Sequence, residues 1–291
     1  MNLSPLRFPG GKSKLTNLFK KILEENNVKN FFIEPFAGGA GLGVNLLFLN
    51  KIDNLIINDS DRSIYAFWYC VLNKNKAFCE KIEKTEINIS NWKIQKSIQL
   101  NKKKVDLFSL GFSTFFLNRT NYSGIINAGP IGGKNQLGKY QINCRFNKKK
   151  LIKKIKLIHD LKSRIRIYNL DFAKIIIMFE KKKNAIFYFD PPYLENSKGL
   201  YDCNFKFEEH LNLLSMLKKM KARWVLSNSD SEKIQKMYKW SVQKIGKKLG
   251  FRIYKCKMEA DLIFWHEKID LKSDWDDSMF IFKKFHPILN D

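Results

Sequence analysis

The chain has 291 residues, 44% of them hydrophobic, enough for one large α/β domain with an inserted module or for two modest domains. No apolar run approaches the roughly 20 residues that a membrane span needs, and Met1 to Pro5 lack the apolar stretch of a secretory signal. The net charge of +25, from 53 Lys and Arg against 28 Asp and Glu, favours a polyanionic partner, although a composition biased towards Lys, Asn and Ile gives the same excess without a binding face.

In chain order, the first distinctive segment is Arg7-Phe8-Pro9-Gly10-Gly11-Lys12. Gly11-Lys12-Ser13 imitates the end of a phosphate-binding loop, but Leu6 stands where the first glycine belongs and no strand precedes it. A Gly-Gly turn presenting Lys12 suits an anionic carboxylate; a plain N-terminal turn is the alternative. Residues 30–34 form a short apolar run that predicts a buried strand. The glycine-rich turn from Pro35 to Gly43 follows, and a helix is expected to continue from Val44 to Leu49. Its spacing departs from the dinucleotide fingerprint, because Val44 stands where that pattern has glycine. Leu55 to Ile57 predict a second strand ending at Asn58-Asp59. Asp59 lies 20 residues after Gly39, where a carboxylate accepts hydrogen bonds from ribose hydroxyls. A helix cap is the bland alternative. Ser60 or Asp61 is the expected cap of the helix through Ile64, Phe67, Trp68 and Val71.

Residues 73 to about 147 interrupt this strand–helix alternation and read as polar and irregular, with glycines crowded between Gly124 and Gly138. Leu151 to Leu161 predict a basic amphipathic helix. Nine of the nineteen residues from Lys148 to Arg166 are Lys or Arg, a face for phosphates or simply for water. The α/β pattern then resumes, with strands at 166–168, 185–189 and 224–227 and a helix from Glu208 to Lys219. The organisation expected is a discontinuous catalytic and cofactor-binding domain, 1–72 plus 166–291, interrupted by an insert at 73–165.

Asp190-Pro191-Pro192-Tyr193 directly follows the strongest strand and so lies at a strand's carboxyl end, where open α/β sheets bind ligands. Two prolines stiffen the turn and remove two backbone donors. An adenine amine offers two N–H donors; the Asp190 carboxylate and the Pro191 carbonyl supply two acceptors, and Tyr193 a flat face for stacking. An ordinary turn is the bland alternative. The four histidines show no metal-binding spacing, no hydrolase elbow is present, and no metal is expected. The five cysteines form no CxxC pair and read as reduced thiols of a cytoplasmic protein.

The ordered set FPGGK, EPFAGGAG, IND, FLNRTNYSG and DPPY resembles the Dam-like, alpha-class family of adenine-N6 DNA methyltransferases, over about residues 3 to 230. The resemblance implies a Rossmann-like S-adenosylmethionine-dependent sheet with an inserted helical or hairpin target-recognition subdomain. It implies that Phe8, Lys12, Phe36, Gly38, Gly39, Gly41 and Asp59 hold S-adenosyl-L-methionine, with Asp171 near its adenine. Asp190, Pro191, Pro192 and Tyr193 would form the catalytic motif, Asp190 also bordering the cofactor. Arg119, Tyr122, Lys134 and Lys139 are the DNA-contact candidates, because family members touch DNA with a hairpin here. Double-stranded DNA is the implied substrate, and a restriction endonuclease acting on the same site a possible partner. Residues 127–134 depart from the pattern of GATC-specific relatives, which leaves the target sequence open. Ser227-Asn228-Ser229-Asp230 resembles a later strand motif of the family; beyond about Lys233 the resemblance fades. Two other readings stand beside this one. A non-catalytic DNA-binding relative would explain the divergent C-terminal segment. An NAD-dependent oxidoreductase would explain Asp59 and the glycine turn, but not DPPY.

Overall fold

The computed structural model describes residues 2–8, 11–192, 205, 207–229, 233–234, 236–237, 251–255 and 260–265. A seven-stranded sheet runs in the order β3-β2-β1-β4-β5-β7-β6. Its strands are β1 (Phe31–Glu34), β2 (Asn54–Asn58), β3 (Ile165–Tyr168), β4 (Ala185–Phe189), β5 (Arg223–Ser229), β6 (Phe251–Lys255) and β7 (Ala260–Trp265). β1 to β5 pair in parallel, and β7 is antiparallel to both β5 and β6. The last two strands arise from the segment in which the resemblance fades.

The central strands are largely apolar because both faces are covered, as in parallel sheets generally, with Glu34 and Asn58 polar at their carboxyl ends. Side chains alternate between the two sides. Phe32, Leu55, Ile57, Ile186 and Tyr188 join a core with α1 (Thr16–Glu25), α2 (Gly41–Phe48) and α3 (Arg62–Asn73). Ile33, Ile56, Phe187 and Phe189 join a second core with α8 (Phe172–Phe179) and α9 (Phe207–Lys219). Asp61 caps α3 by accepting from the Ser63 N–H. Helix α2 begins at Gly41, three residues earlier than expected, because Ala40 adopts a left-handed conformation (φ 42°) and starts the helix directly.

The insert differs from its sequence reading. Residues 75–120 are helical, forming α4 (Asn75–Lys84), α5 (Ile89–Leu100) and α6 (Leu107–Thr120). Asn88 and Asp106 accept hydrogen bonds from the Asn91 and Ser109 N–H groups and so start α5 and α6. Within α6, Gly111 packs directly on α3; a Cβ there would collide with the Ala66 carbonyl. Buried Gln99 bridges the two layers, accepting from Ser63 Oγ and donating to Thr114 Oγ1, each at 2.9 Å. The long irregular stretch is confined to residues 121–147, which include a 3-10 turn at Tyr122–Gly124 and lead into α7 (Lys148–Asp160), capped by Asn147. The apolar side chains of α6 and α7 belong to the same core as α1 to α3.

Candidate active site

Strand order reverses at β1, with β2 on one side and β4 on the other, so the turns after β1 and β4 border one crevice at the sheet's carboxyl edge. Asn58, fully buried at the end of β2, fixes that edge. Its Nδ2 donates to the carbonyls of Pro35 and Leu170, each at 2.9 Å, and its Oδ1 accepts from Leu170 N at 3.0 Å. Ala37 N donates to the Asn58 carbonyl at 2.8 Å. One side chain thus ties the loops following β1 and β3 to β2.

Asp59 sits beside this knot. Oδ2 accepts from Gly38 N at 2.9 Å and Oδ1 from Asp61 N at 2.9 Å. Burial, reinforced by the Asp61 charge, pushes its pKa up to about 7 despite those two N–H groups and Lys102. Gly38 has φ 46°, and its carbonyl accepts from Trp68 Nε1 at 2.9 Å. The Phe8 ring lies against Gly38 and Gly39, where a Cβ would come within 3.4 and 3.1 Å of it. Ser4 Oγ donates to the Gly39 carbonyl at 2.6 Å. The N-terminal segment therefore covers the glycine turn.

The Asp190 carboxylate is held from two directions. Ser227 Oγ on β5 donates to Oδ1 at 2.7 Å, and Lys12 Nζ lies 3.2 Å from the same oxygen. Tyr188 OH is 2.7 Å from Ser227 Oγ. Because the serine's proton points to Asp190, the tyrosine supplies the proton of that bond. Lys12, expected at a cofactor carboxylate, thus places its ammonium beside Asp190.

Glu34, at the end of β1, is a site residue that the sequence reading missed. It is buried, its Oε1 accepts from Gly43 N at 3.0 Å, and its Oε2 has no hydrogen-bond partner among the described residues. Burial, with a smaller contribution from the Asp190 charge, lifts its pKa to about 8, so it carries a proton at neutral pH. The signal available in the sequence was an acid inside an apolar strand run. His210 on α9 is also buried, with its ring edge-on to Phe205 at 4.5 Å. Burial lowers its pKa to about 4, opposed by the Pro192 backbone, and keeps it neutral.

The remaining expected residues are more dispersed. Phe36 joins an aromatic cluster, with Phe172 and Phe205 both at 5.2 Å. Gly41 is the first residue of α2. Asp171 is exposed and caps α8 by accepting from Ala173 N at 2.8 Å. Pro191 is buried and Pro192 half-buried, whereas Tyr193, like Pro9 and Gly10, lies outside the described residues. In the insert, Arg119 donates through Nε to the Arg145 carbonyl at 2.8 Å. Tyr122 is exposed, and its hydroxyl oxygen accepts from Gly132 N at 3.3 Å. Lys134 and Lys139 are exposed on the irregular segment, away from the crevice loops in sequence. Among the described residues, no cluster of His, Cys, Asp and Glu is arranged to hold a metal, and no helix is long and apolar enough to cross a membrane.

A parallel five-strand sheet extended by an antiparallel pair, with an acidic turn beside the first strand's glycine turn, is the architecture of a Rossmann-like methyltransferase. A family model described as D12 class N6 adenine-specific DNA methyltransferase matches residues 8–253, and the chain belongs to this family. It is an adenine-specific DNA methyltransferase: DNA is the substrate and a methyl donor the co-substrate. Neither the oxidoreductase nor the non-catalytic reading is favoured. Among solved structures, the rRNA methyltransferase aviRa from Streptomyces viridochromogenes is similar at 10% identity and a TM-score of 0.37, over 90% of this chain and 88% of that one. No curated protein matches the chain.

Proposed function

We propose that the crevice between the β1 and β4 turns transfers a methyl group from S-adenosylmethionine to the exocyclic amine of an adenine flipped out of double-stranded DNA. The observation that carries this reading is the convergence of Lys12 and Ser227 on one oxygen of Asp190, at the mouth of the crevice that Gly38 and Asp59 border. The chain's residues fit the cofactor chemically. Asp59 is a carboxylate pinned by backbone N–H groups, with lone pairs left to accept from ribose hydroxyls. Gly38 and Gly39 allow close approach of backbone, and Phe8 shapes the wall above them. Buried, neutral Glu34 keeps a second negative charge away from Asp190. When bound, S-adenosylmethionine supplies an electrophilic methyl group.

The protein's own part is positioning and electrostatics. A stacked base is out of reach, so the adenine must leave the duplex at a cost of a few kcal/mol. Asp190 and the Pro191 carbonyl accept the two amine hydrogens and orient the nitrogen lone pair, while Tyr193 stacks on the base. Lys12 and Ser227 fix the carboxylate beforehand, so little reorganisation remains to be done during reaction. Asp171 borders the cofactor's adenine, and Arg119, Tyr122, Lys134 and Lys139 face the duplex. A restriction endonuclease acting on the same site belongs to this reading as a partner. The cytoplasm is its compartment, consistent with free thiols at Cys70, Cys79 and Cys144. Incubating duplex DNA with methyl-labelled cofactor and mapping the modified bases tests the proposal: wild type labels adenine, and Asp190→Ala binds cofactor without transferring label. Undiminished transfer by that variant excludes the assignment.

A further inference from the structure

His210, near the start of α9, is fully buried and takes no part in the mechanism above. Its ring stands edge-on to Phe205, with centroids 4.5 Å apart. Phe205 in turn meets Phe36 edge-on at 5.2 Å and Phe172 at 5.8 Å. The polar group that acts on the imidazole is the Pro192 backbone. A line of contacts therefore runs from the turn after β1, through Phe36, Phe205 and His210, to Pro192 in the turn after β4.

Proline fixes the chemistry of the last contact. Pro192 has no N–H, so only its carbonyl can act on the ring, and a carbonyl only accepts. The ring nitrogen that faces it therefore carries a proton. Burial and the Lys233 charge keep the ring neutral, which leaves one N–H and one lone pair. Neither ring nitrogen makes a hydrogen bond of ordinary length among the described residues, so the contact with the Pro192 carbonyl stops short of a full bond. A buried imidazole left in this state costs free energy that an apolar side chain of similar size does not.

We propose that His210 is a positioning residue: its ring N–H closes on the Pro192 carbonyl when adenine enters the crevice, and so sets the direction of the neighbouring Pro191 carbonyl. This rests on the proposed function, in which the Pro191 carbonyl accepts from the adenine amine. The two carbonyls belong to adjacent planar peptide units, and each proline holds its φ nearly fixed, so aiming one restricts the other. His210 touches neither base nor cofactor; it acts through the turn. Phe205 and Phe36 back the ring, so the turn after β1 supports the same alignment.

The test compares wild type with His210→Phe, His210→Leu, His210→Asn and His210→Gln in methyl transfer to unmethylated plasmid DNA from labelled S-adenosylmethionine. Single-turnover runs give the rate of transfer, and steady-state runs give KM. Phe and Leu keep apolar packing but cannot donate, so their single-turnover rates should fall about tenfold. Their KM for DNA and their affinity for S-adenosylhomocysteine should stay within about twofold of wild type. Their melting temperatures should not fall, because a buried imidazole without full bonds has been removed. Asn and Gln place an amide N–H near the Nδ1 and Nε2 positions respectively, and the one that matches the donating nitrogen should recover most of the rate. Ring-nitrogen NMR of wild type should show one protonated nitrogen, whose N–H signal moves downfield when DNA and S-adenosylhomocysteine are added. Undiminished rates in both apolar variants, rates lost only in step with melting temperature, or amide variants no faster than His210→Phe overturn the inference. A wild type that puts no label on adenine removes the proposed function instead, so the two failures give different results.

Discussion

Ser227 Oγ on β5 donates to Asp190 Oδ1 at 2.7 Å, across 37 residues of sequence, and Tyr188 OH stands 2.7 Å behind it. Ser227 lies on β5 and Asp190 directly follows its parallel neighbour β4, so the bond turns sheet register into carboxylate orientation. Hydrogen bonds to a charged group are worth about 1.5–3 kcal/mol. Ser227→Ala should therefore lower kcat by roughly 10- to 100-fold, with cofactor affinity unchanged. Tyr188→Phe, one bond removed, should have a smaller effect in the same direction. Steady-state kinetics with duplex DNA check this; a Ser227→Ala enzyme altered only in KM would show that the bond holds structure rather than the reacting geometry.

Asp59 gives a pH dependence. Its carboxyl is raised to about 7 in the folded protein by burial and the Asp61 charge. On the proposed function, ribose hydroxyls would donate to the ionised form, so cofactor binding would first have to remove the proton below that pH. Affinity for the product S-adenosylhomocysteine should be about tenfold weaker at pH 6 than at pH 8. Asp59→Asn should bind weakly at both values and lose the slope. Calorimetric titration at the two pH values decides, and equal wild-type affinities would count against a ribose contact at this position.

The turns that border the candidate site can be read from the sequence because their parts are local. The strands of the parallel sheet appear as short apolar runs bounded by turns, and the turns after β1, β2 and β4 carry their chemistry within a few residues. What escaped depends on distant partners. Ser227 was noticed only as part of a strand motif, because Asp190 is 37 residues away. Lys154 reaches the Ser4 carbonyl across 150 residues, a contact that no local pattern shows. The helices at 75–120 are hidden in a polar stretch because polar residues there, such as Gln99 and Thr114, are buried and satisfy one another between helices. Asp171 and Phe36 were read from the resemblance; the structure adds a helix cap and an aromatic cluster that each also serves.

Gly111 sets the spacing between α6 and α3. Its Cα lies against the α3 backbone at Ala66 and against the Cys70 thiol, with no room for a methyl group. Gly111→Ala gains helix propensity but forces α6 away from α3, and overpacking of this kind costs about 1–3 kcal/mol. The variant should unfold several degrees below wild type. Because α6 carries Arg119 and Asn118 at its end, DNA affinity should fall with it. Scanning calorimetry together with duplex binding checks both effects; an unchanged melting temperature would mean that the helices are less closely packed than described.

Glu34 makes stability itself depend on pH. The folded-state carboxyl is lifted to about 8, mainly by burial, from an ordinary value of 4.5. Below the ordinary value both folded and unfolded chains hold the proton, and the group is neutral towards stability. Between the two values the unfolded chain releases its proton while the folded chain keeps it, so stability falls as pH rises through this window. Above about 8 the folded chain carries a buried charge beside Asp190, and the loss levels off. The total is on the order of a few kcal/mol. Glu34→Gln preserves the Gly43 hydrogen bond and cannot ionise, so its denaturation midpoint should change less than that of wild type between pH 5 and pH 8. At pH 8 the variant should be the more stable of the two. Urea titrations at pH 5, 6.5 and 8 make the comparison, and parallel curves for the two proteins would show that Glu34 finds a way to ionise without cost.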